Sequence, residues 1–283
     1  MPGPRIAMTP KPEPNAEAPA EAPGVPRASP GLYRLLSWLS PSFPIGAFSY
    51  SHGLEAAIAG GAVHDRASLE GWIAAVVTQG SGRMDADILC AAHRAAHCLD
   101  GAGDAAALAA ANRRGTAFRA TAELALEAGQ QGEAFLATCR AAWPEPFIEA
   151  WAAPHPNPLS VRGEREGSAP QWSSLAWERE GQQRAVCHSA AFGAVTGRAG
   201  IELADALTGY LQAFAANLVS AGLRLGIIGQ TDGQRILCAL EPAVGRAAAA
   251  AMTRDPGDFG AATFAVDLAS MMHETQYTRL FRS

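Results

Sequence analysis

Apolar positions recur along this chain at helical spacing. Leu32, Leu35, Leu36 and Leu39 stand at i, i+3, i+4 and i+7, an amphipathic stripe that Pro41 and Pro44 end. Asp65 is placed to cap a helix carrying Leu69, Trp72, Ile73, Val76 and Val77, and Gly80-Ser81-Gly82 closes it. A further helix is expected over 84–98. Residues 104–140 are rich in Ala, Leu, Glu and Gln, which are strong helix formers, and imply one or two more. The clearest single helix covers 203–224, where Leu207, Tyr210, Leu211, Phe214, Leu218, Ala221 and Leu225 make one continuous face. Asp232 caps the next element, Pro242 divides it from an Ala-rich helix over 243–252, and a short helix covers 263–273. Asp232-Gly233 is followed by a helical pattern, so no hairpin is expected.

Two stretches lack any period. Residues 1–31 hold nine of the 19 prolines, interleaved with Ala, Glu and Gly, and cannot bury enough apolar area to offset the entropy of ordering. Residues 152–183 combine four prolines with Gly163, Gly167 and a charged Arg-Glu-Arg-Glu run, which reads as a surface insertion. The expected fold is therefore all-α: one helical-bundle-like domain over 32–283, with a disordered N-terminal tail and one long loop insertion.

Composition narrows the chemistry. The net charge is −5 and no basic run occurs, so there is no electrostatic footprint for nucleic acid. The only lysine is Lys11, in the tail. That excludes a P-loop NTPase and a Schiff-base enzyme within the folded part. Five scattered cysteines without a C-x-x-C pair suit a reducing cytosol. No apolar signal region opens the chain, and no uninterrupted run reaches the roughly 18 apolar residues of a membrane span. A cytoplasmic protein with no membrane attachment is expected.

Three constellations carry candidate chemistry. Asp87, Cys90, His93 and His97 offer metal-ligand types on one helix, and Cys90, His93 and His97 would share a face. One helix rarely supplies a whole ligand set, and no partner pair stands at a recognisable spacing. No tightly bound metal or other cofactor is expected. Ser49, Ser51 and His52 raise the possibility of a small hydrolase built on Ser49 and His52, but G-x-S-x-G is absent and no strand residues precede it. A structured turn entering a helix, with Gly46 supplying an unusual backbone angle and Ser49 a cap, accounts for the segment better. The segment from His273 to Ser283 mixes Tyr277, Leu280 and Phe281 with Arg279 and Arg282, residue types that anchor interfaces.

Residues 40–55, Ser-Pro-Ser-Phe-Pro-Ile-Gly-Ala-Phe-Ser-Tyr-Ser-His-Gly-Leu-Glu, resemble the signature of the UreF family of urease accessory proteins, S-P-x-x-P-x-G-x-F-S-Y-S-x-G-L-E. Residues 217–237 resemble its second signature, and the ending from His273-Glu274 to Arg279-Leu280-Phe281-Arg282-Ser283 its third. Two positions depart from the family pattern. Ile227 stands where the family commonly has Pro, and the family's T-R-E stretch appears only loosely, as Phe118-Arg119-Ala120-Thr121-Ala122-Glu123. The resemblance implies an all-α homodimer without enzymatic activity of its own. It implies a complex with UreD (also called UreH) and the GTPase UreG that acts on apo-urease and guides nickel into its active site. It also implies partner contacts through Phe48, Ser49, Tyr50, Glu274, Tyr277, Arg279, Leu280, Phe281 and Arg282.

Overall fold

The computed structural model describes residues 30–97, 102–153 and 185–283. The expected disordered tail up to residue 29, Cys98 and the expected insertion from 154 onward lie outside the described residues. The described part is helical and holds no strand. In chain order the helices are α1 (Pro30–Trp38), α2 (Leu54–Ala59), α3 (Arg66–Gln79), α4 (Ser81–Ala96), α5 (Ala105–Ala117) and α6 (Ala122–Ala142). They continue as α7 (Pro146–Ala152), α8 (His188–Arg198), α9 (Leu203–Arg224), α10 (Gln230–Thr253) and α11 (Phe264–Glu274). A 3-10 turn covers Ala47–Ser49.

Local chemistry sets most helix starts. Asp65 accepts from Ser68 N at 2.8 Å while the Ser68 hydroxyl takes Asp65 N, a capping box that opens α3. Asp104 and Thr121 accept from the third residues of α5 and α6.

Helices α4 and α8 lie side by side at the centre, with α3, α5, α6, α9 and α10 around them. Small residues let the pair approach closely. A Cβ added at Gly193 would stand 2.5 Å from the Leu89 carbonyl oxygen, and one at Gly197 2.6 Å from that of His93. Both obstacles are backbone, so neither can swing aside. Gly193→Val is expected to destabilise the fold by about 3 kcal/mol or more through overpacking. A melting temperature equal to the parent's would show that α4 and α8 do not approach this closely. Around the pair, Leu69, Ile73, Phe135, Phe192, Leu207, Leu211 and Ile236 are fully buried.

Two sequence expectations change. Pro242 lies inside one continuous helix, α10, instead of dividing two. Ile236, Leu240, Ala243, Val244, Ala247, Ala248 and Ala251 form an unbroken buried face across it, and Pro242 itself faces solvent. Packing against α9, α3 and α4 thus holds both halves in line despite the lost N–H. The apolar composition of α10 reaches that of a membrane span over 18 residues, although Glu241, Pro242 and Arg246 lie within the helix. The stripe on α1 is also only half used: Leu35 is buried, whereas Leu32 and Leu36 face outward.

Candidate functional site

The loop after α1 is built by left-handed backbone. Gly46 (φ 71°), His52 (φ 57°) and Gly53 (φ 77°) turn the chain sharply into the short helix α2. At Gly53 no side chain fits, because an added Cβ would lie 2.8 Å from Ser270 N on α11. The capping role expected of Ser49 falls to Ser51, whose Oγ accepts from Glu55 N. The reason is the 3-10 turn, which carries Ser49 past before α2 starts.

That turn brings Glu55 beneath the C-terminal segment. Its carboxylate accepts from Leu280 N at 2.7 Å and Phe281 N at 2.9 Å, and lies 3.2 Å from His273 Nε2. His273 is fully buried, and its Nδ1 faces Glu123 Oε2 at 2.7 Å. Arg279 donates to the other oxygen of Glu123 at 2.6 Å. The chain then pairs with the loop itself: Arg282 N donates to Ser49 O, and Ser51 N and Oγ both donate to Ser283 O. The Arg224 guanidinium lies over the Phe281 ring at 4.1 Å, and Asn217 donates to Tyr50 O. Segments from the beginning, middle and end of the chain therefore meet in one cluster.

A second polar line runs beneath it. Ser283 Oγ donates to Glu127 Oε2 at 2.9 Å, that oxygen faces His52 Nδ1 at 3.2 Å, and His52 Nε2 meets Ser81 Oγ at 2.6 Å. A cavity of about 470 Å³ lies alongside, lined by the loop from Trp38 to Phe48, by α9 and by a polar floor. On that floor Arg119 donates to Asp85 at 2.7 Å, with Ser189 and Tyr210 as further donors to the same carboxylate. Burial pushes the Asp85 carboxyl up, but the Arg119 guanidinium and the hydrogen bonds outweigh it and hold it below the usual aspartate range. Burial pushes the neighbouring His188 imidazole down to about 4.

The candidate metal face takes other partners. Cys90 is buried, His93 Nε2 bonds the Ile201 carbonyl at 2.8 Å, and His97 Nδ1 bonds that of Gly197. Burial lowers the pKa of His93 despite that bond. Asp87 turns instead to Arg254. Among the described residues no three His, Cys, Asp or Glu side chains gather as metal ligands. Ser49 does not pair with His52; Ser81 does.

Of the expected partner-contact residues, Phe48, Glu274, Tyr277, Arg279, Leu280 and Arg282 are exposed and Ser49 is half-buried. Tyr50 and Phe281 are buried within this domain, at 2% and 3% exposure. Phe281 is therefore a plug for its own core, and Tyr50 bonds Gln130. Residues that pattern reading missed are Asp85, Glu127 and Ser81. Nothing in their local sequence marks them, since the partners His52, Arg119 and Ser283 lie far away along the chain. The loose Arg119-Ala120-Thr121-Ala122-Glu123 match did mark a set that acts: Arg119 pairs with Asp85, Thr121 caps α6 and bonds Ser270, and Glu123 holds His273 and Arg279.

A model of the UreF family matches residues 63–241. The chain is 44% identical over 252 residues to a protein of Granulibacter bethesdensis called urease accessory protein UreF, covering 89% of this chain and 94% of the relative. A protein of the same name from Rhodopseudomonas palustris is 41% identical over 272 residues, covering 96% and 98%. Another, from a Methylobacterium species, is 43% identical over 249 residues.

Proposed function

The chain belongs to the UreF family of urease accessory proteins, and we propose that it serves as a scaffold for nickel insertion into apo-urease. It is an accessory protein rather than an enzyme. In the proposed role it works in the cytoplasm as a homodimer, in a complex with UreD (UreH) and UreG. UreG supplies GTP hydrolysis, which fits a chain whose only lysine is Lys11.

One observation carries the scaffold reading. The Glu55–His273–Glu123 cluster fixes α11 and the C-terminal segment in place. These then present Phe264, Leu268, Met271 and Met272, followed by Tyr277 and Leu280, to solvent. The four on α11 fall at i, i+4, i+7 and i+8, so they share one face. Contiguous exposed apolar surface of this kind marks a protein interface.

The test is co-purification with UreD and UreG. The parent chain is expected to co-elute with both. A Phe264→Ser, Met272→Ser double variant is expected to keep its melting temperature and bind UreD at least about tenfold more weakly. Unchanged affinity in that variant would remove α11 from the interface. Failure of the parent chain to co-elute would remove the scaffold reading itself.

A further inference from the structure

The Ser81–His52–Glu127 line does not belong to the exposed apolar face, and its chemistry is specific. A carboxylate only accepts hydrogen bonds. In the neutral imidazole, Nδ1 at 3.2 Å from Glu127 Oε2 therefore carries the hydrogen. Nε2 is left as the acceptor for the Ser81 hydroxyl at 2.6 Å. A serine hydroxyl bonded to a histidine whose other nitrogen is oriented by a carboxylate is the arrangement that activates a nucleophile. The three side chains come from the loop before α2, the first residue of α4 and the second turn of α6, and all are buried.

Three independent features favour reactivity over simple structural bonding. Ser81 and His52 both line a half-open cavity of about 290 Å³, together with Met84, Phe118, Thr263 and Asp267. His52 is the only non-glycine residue with positive φ among the described residues, so its side chain is held in place against backbone preference. Ser81 opens α4 directly after Gly80, whose carbonyl accepts from Arg83 N and Met84 N, and the helix dipole at this end favours negative charge. Gly80 and Gly82 make this junction tight. Added Cβ atoms there would stand 2.8 Å from Thr263 Oγ1 and 2.7 Å from Val77 Cα.

We propose that Ser81 is a covalent modification site, an activated serine that accepts a small acyl group from an ester or thioester donor. Ser81 Oγ attacks the acyl carbon as its proton passes to His52 Nε2. The bond from the acyl carbon to the leaving oxygen or sulfur breaks, and His52 returns the proton to that group. The products are O-acyl Ser81 and a free alcohol or thiol. The cavity of about 290 Å³ stands at the lower end of the range of small-molecule pockets, which suits an acyl group smaller than a drug-sized ligand. Acylation removes the hydroxyl hydrogen that His52 accepts. It therefore perturbs the line that continues through Glu127 to Ser283 and the C-terminal segment. The modification is a single, stoichiometric event and not a catalytic cycle.

The probe is p-nitrophenyl acetate applied to the full chain, with nitrophenolate release and peptide mass read together. The parent protein is expected to release one equivalent rapidly and to carry the acetyl group on the Ser81 peptide. Lys11, the only lysine, is distinguished by mapping. Ser81→Ala is expected to abolish the rapid phase. His52→Gln is expected to slow it at least about a hundredfold, the usual contribution of a general base. If His52→Gln melts early, Glu127→Gln, which keeps the side-chain size, supplies the same readout. An acetyl group that maps elsewhere overturns the proposal. So does a rapid phase that persists in Ser81→Ala, or one unchanged in a folded His52→Gln or Glu127→Gln variant.

Discussion

Arg119→Ala is expected to cost about 3–5 kcal/mol of folding stability, because it strands a buried carboxylate. The Arg119 and Asp85 side chains are only 5% and 9% exposed and meet at 2.7 Å. Arg119 also donates from Nε to the Gly115 carbonyl at 2.8 Å, so α5, α4 and the start of α6 all lose an anchor. Ser189 and Tyr210 would still donate to Asp85, at 2.9 and 3.4 Å, but neutral donors do not balance a full charge. The neutral double variant Asp85→Asn, Arg119→Met should recover much of the loss, since the pair's desolvation cost disappears with its attraction.

The pH dependence separates this account from mere loss of packing. In the parent, Asp85 titrates below the usual aspartate range. Its contribution is therefore complete above the unfolded value of about 3.9 and is lost only as pH falls through the lower folded value. Without Arg119, burial is opposed mainly by the neutral Ser189 and Tyr210 donors and raises the Asp85 pKa, so that variant gains relative stability as acid neutralises the stranded charge. The stability gap between parent and Arg119→Ala, measured by urea unfolding, should narrow on moving from pH 7 toward pH 4. A gap that stays constant would mean that shape, not charge, explains the loss.

The helical architecture could be read from the sequence wherever one amphipathic stripe met a clear cap. The 203–224 stripe emerged as α9 with the same bounds, and Asp65 caps α3 as expected. Pattern reading failed where tertiary packing decided the outcome. Pro242 marks a break in an isolated helix, yet a continuous apolar face spans it here. Leu32 and Leu36 carry the right period but point outward. The site was legible in a different way. The three segments singled out by resemblance, 40–55, 217–237 and 273–283, proved to touch one another through Asn217, Arg224, Glu55 and Arg282. Spacing could not show this contact, because the pairs are separated by more than 50 residues. Nor could it show that Tyr50 and Phe281 spend their apolar surface on the domain itself. Aromatic composition in a terminal segment is equally suited to a partner and to an intramolecular groove.

That distinction shapes the expected result of removing residues 276–283. The truncated chain should lose about 4 kcal/mol or more of stability, with the melting temperature and the UreD affinity falling together. Phe281 leaves an empty site beneath Arg224, and filling such sites with a phenyl ring is worth about 3–5 kcal/mol. Glu55 loses the Leu280 and Phe281 N–H donors, Glu123 loses Arg279, and Glu127 loses the Ser283 hydroxyl. His273 remains between Glu55 and Glu123, so two carboxylates, that of Glu55 buried, share one imidazole. Each stranded or under-paired carboxylate adds to the cost. Point substitutions then divide the segment by role. Phe281→Ala should lower the melting temperature and weaken binding only in proportion to unfolding. Tyr277→Ala and Leu280→Ala remove side chains that already face solvent, so they should leave the folding stability within about 0.5 kcal/mol of the parent while weakening UreD binding. If full truncation spares the melting temperature, the Glu55 cluster is not what holds the end of the chain. If Tyr277→Ala and Leu280→Ala leave affinity untouched in the folded protein, the segment serves only to close its own domain, and the partner surface lies on the α11 face alone.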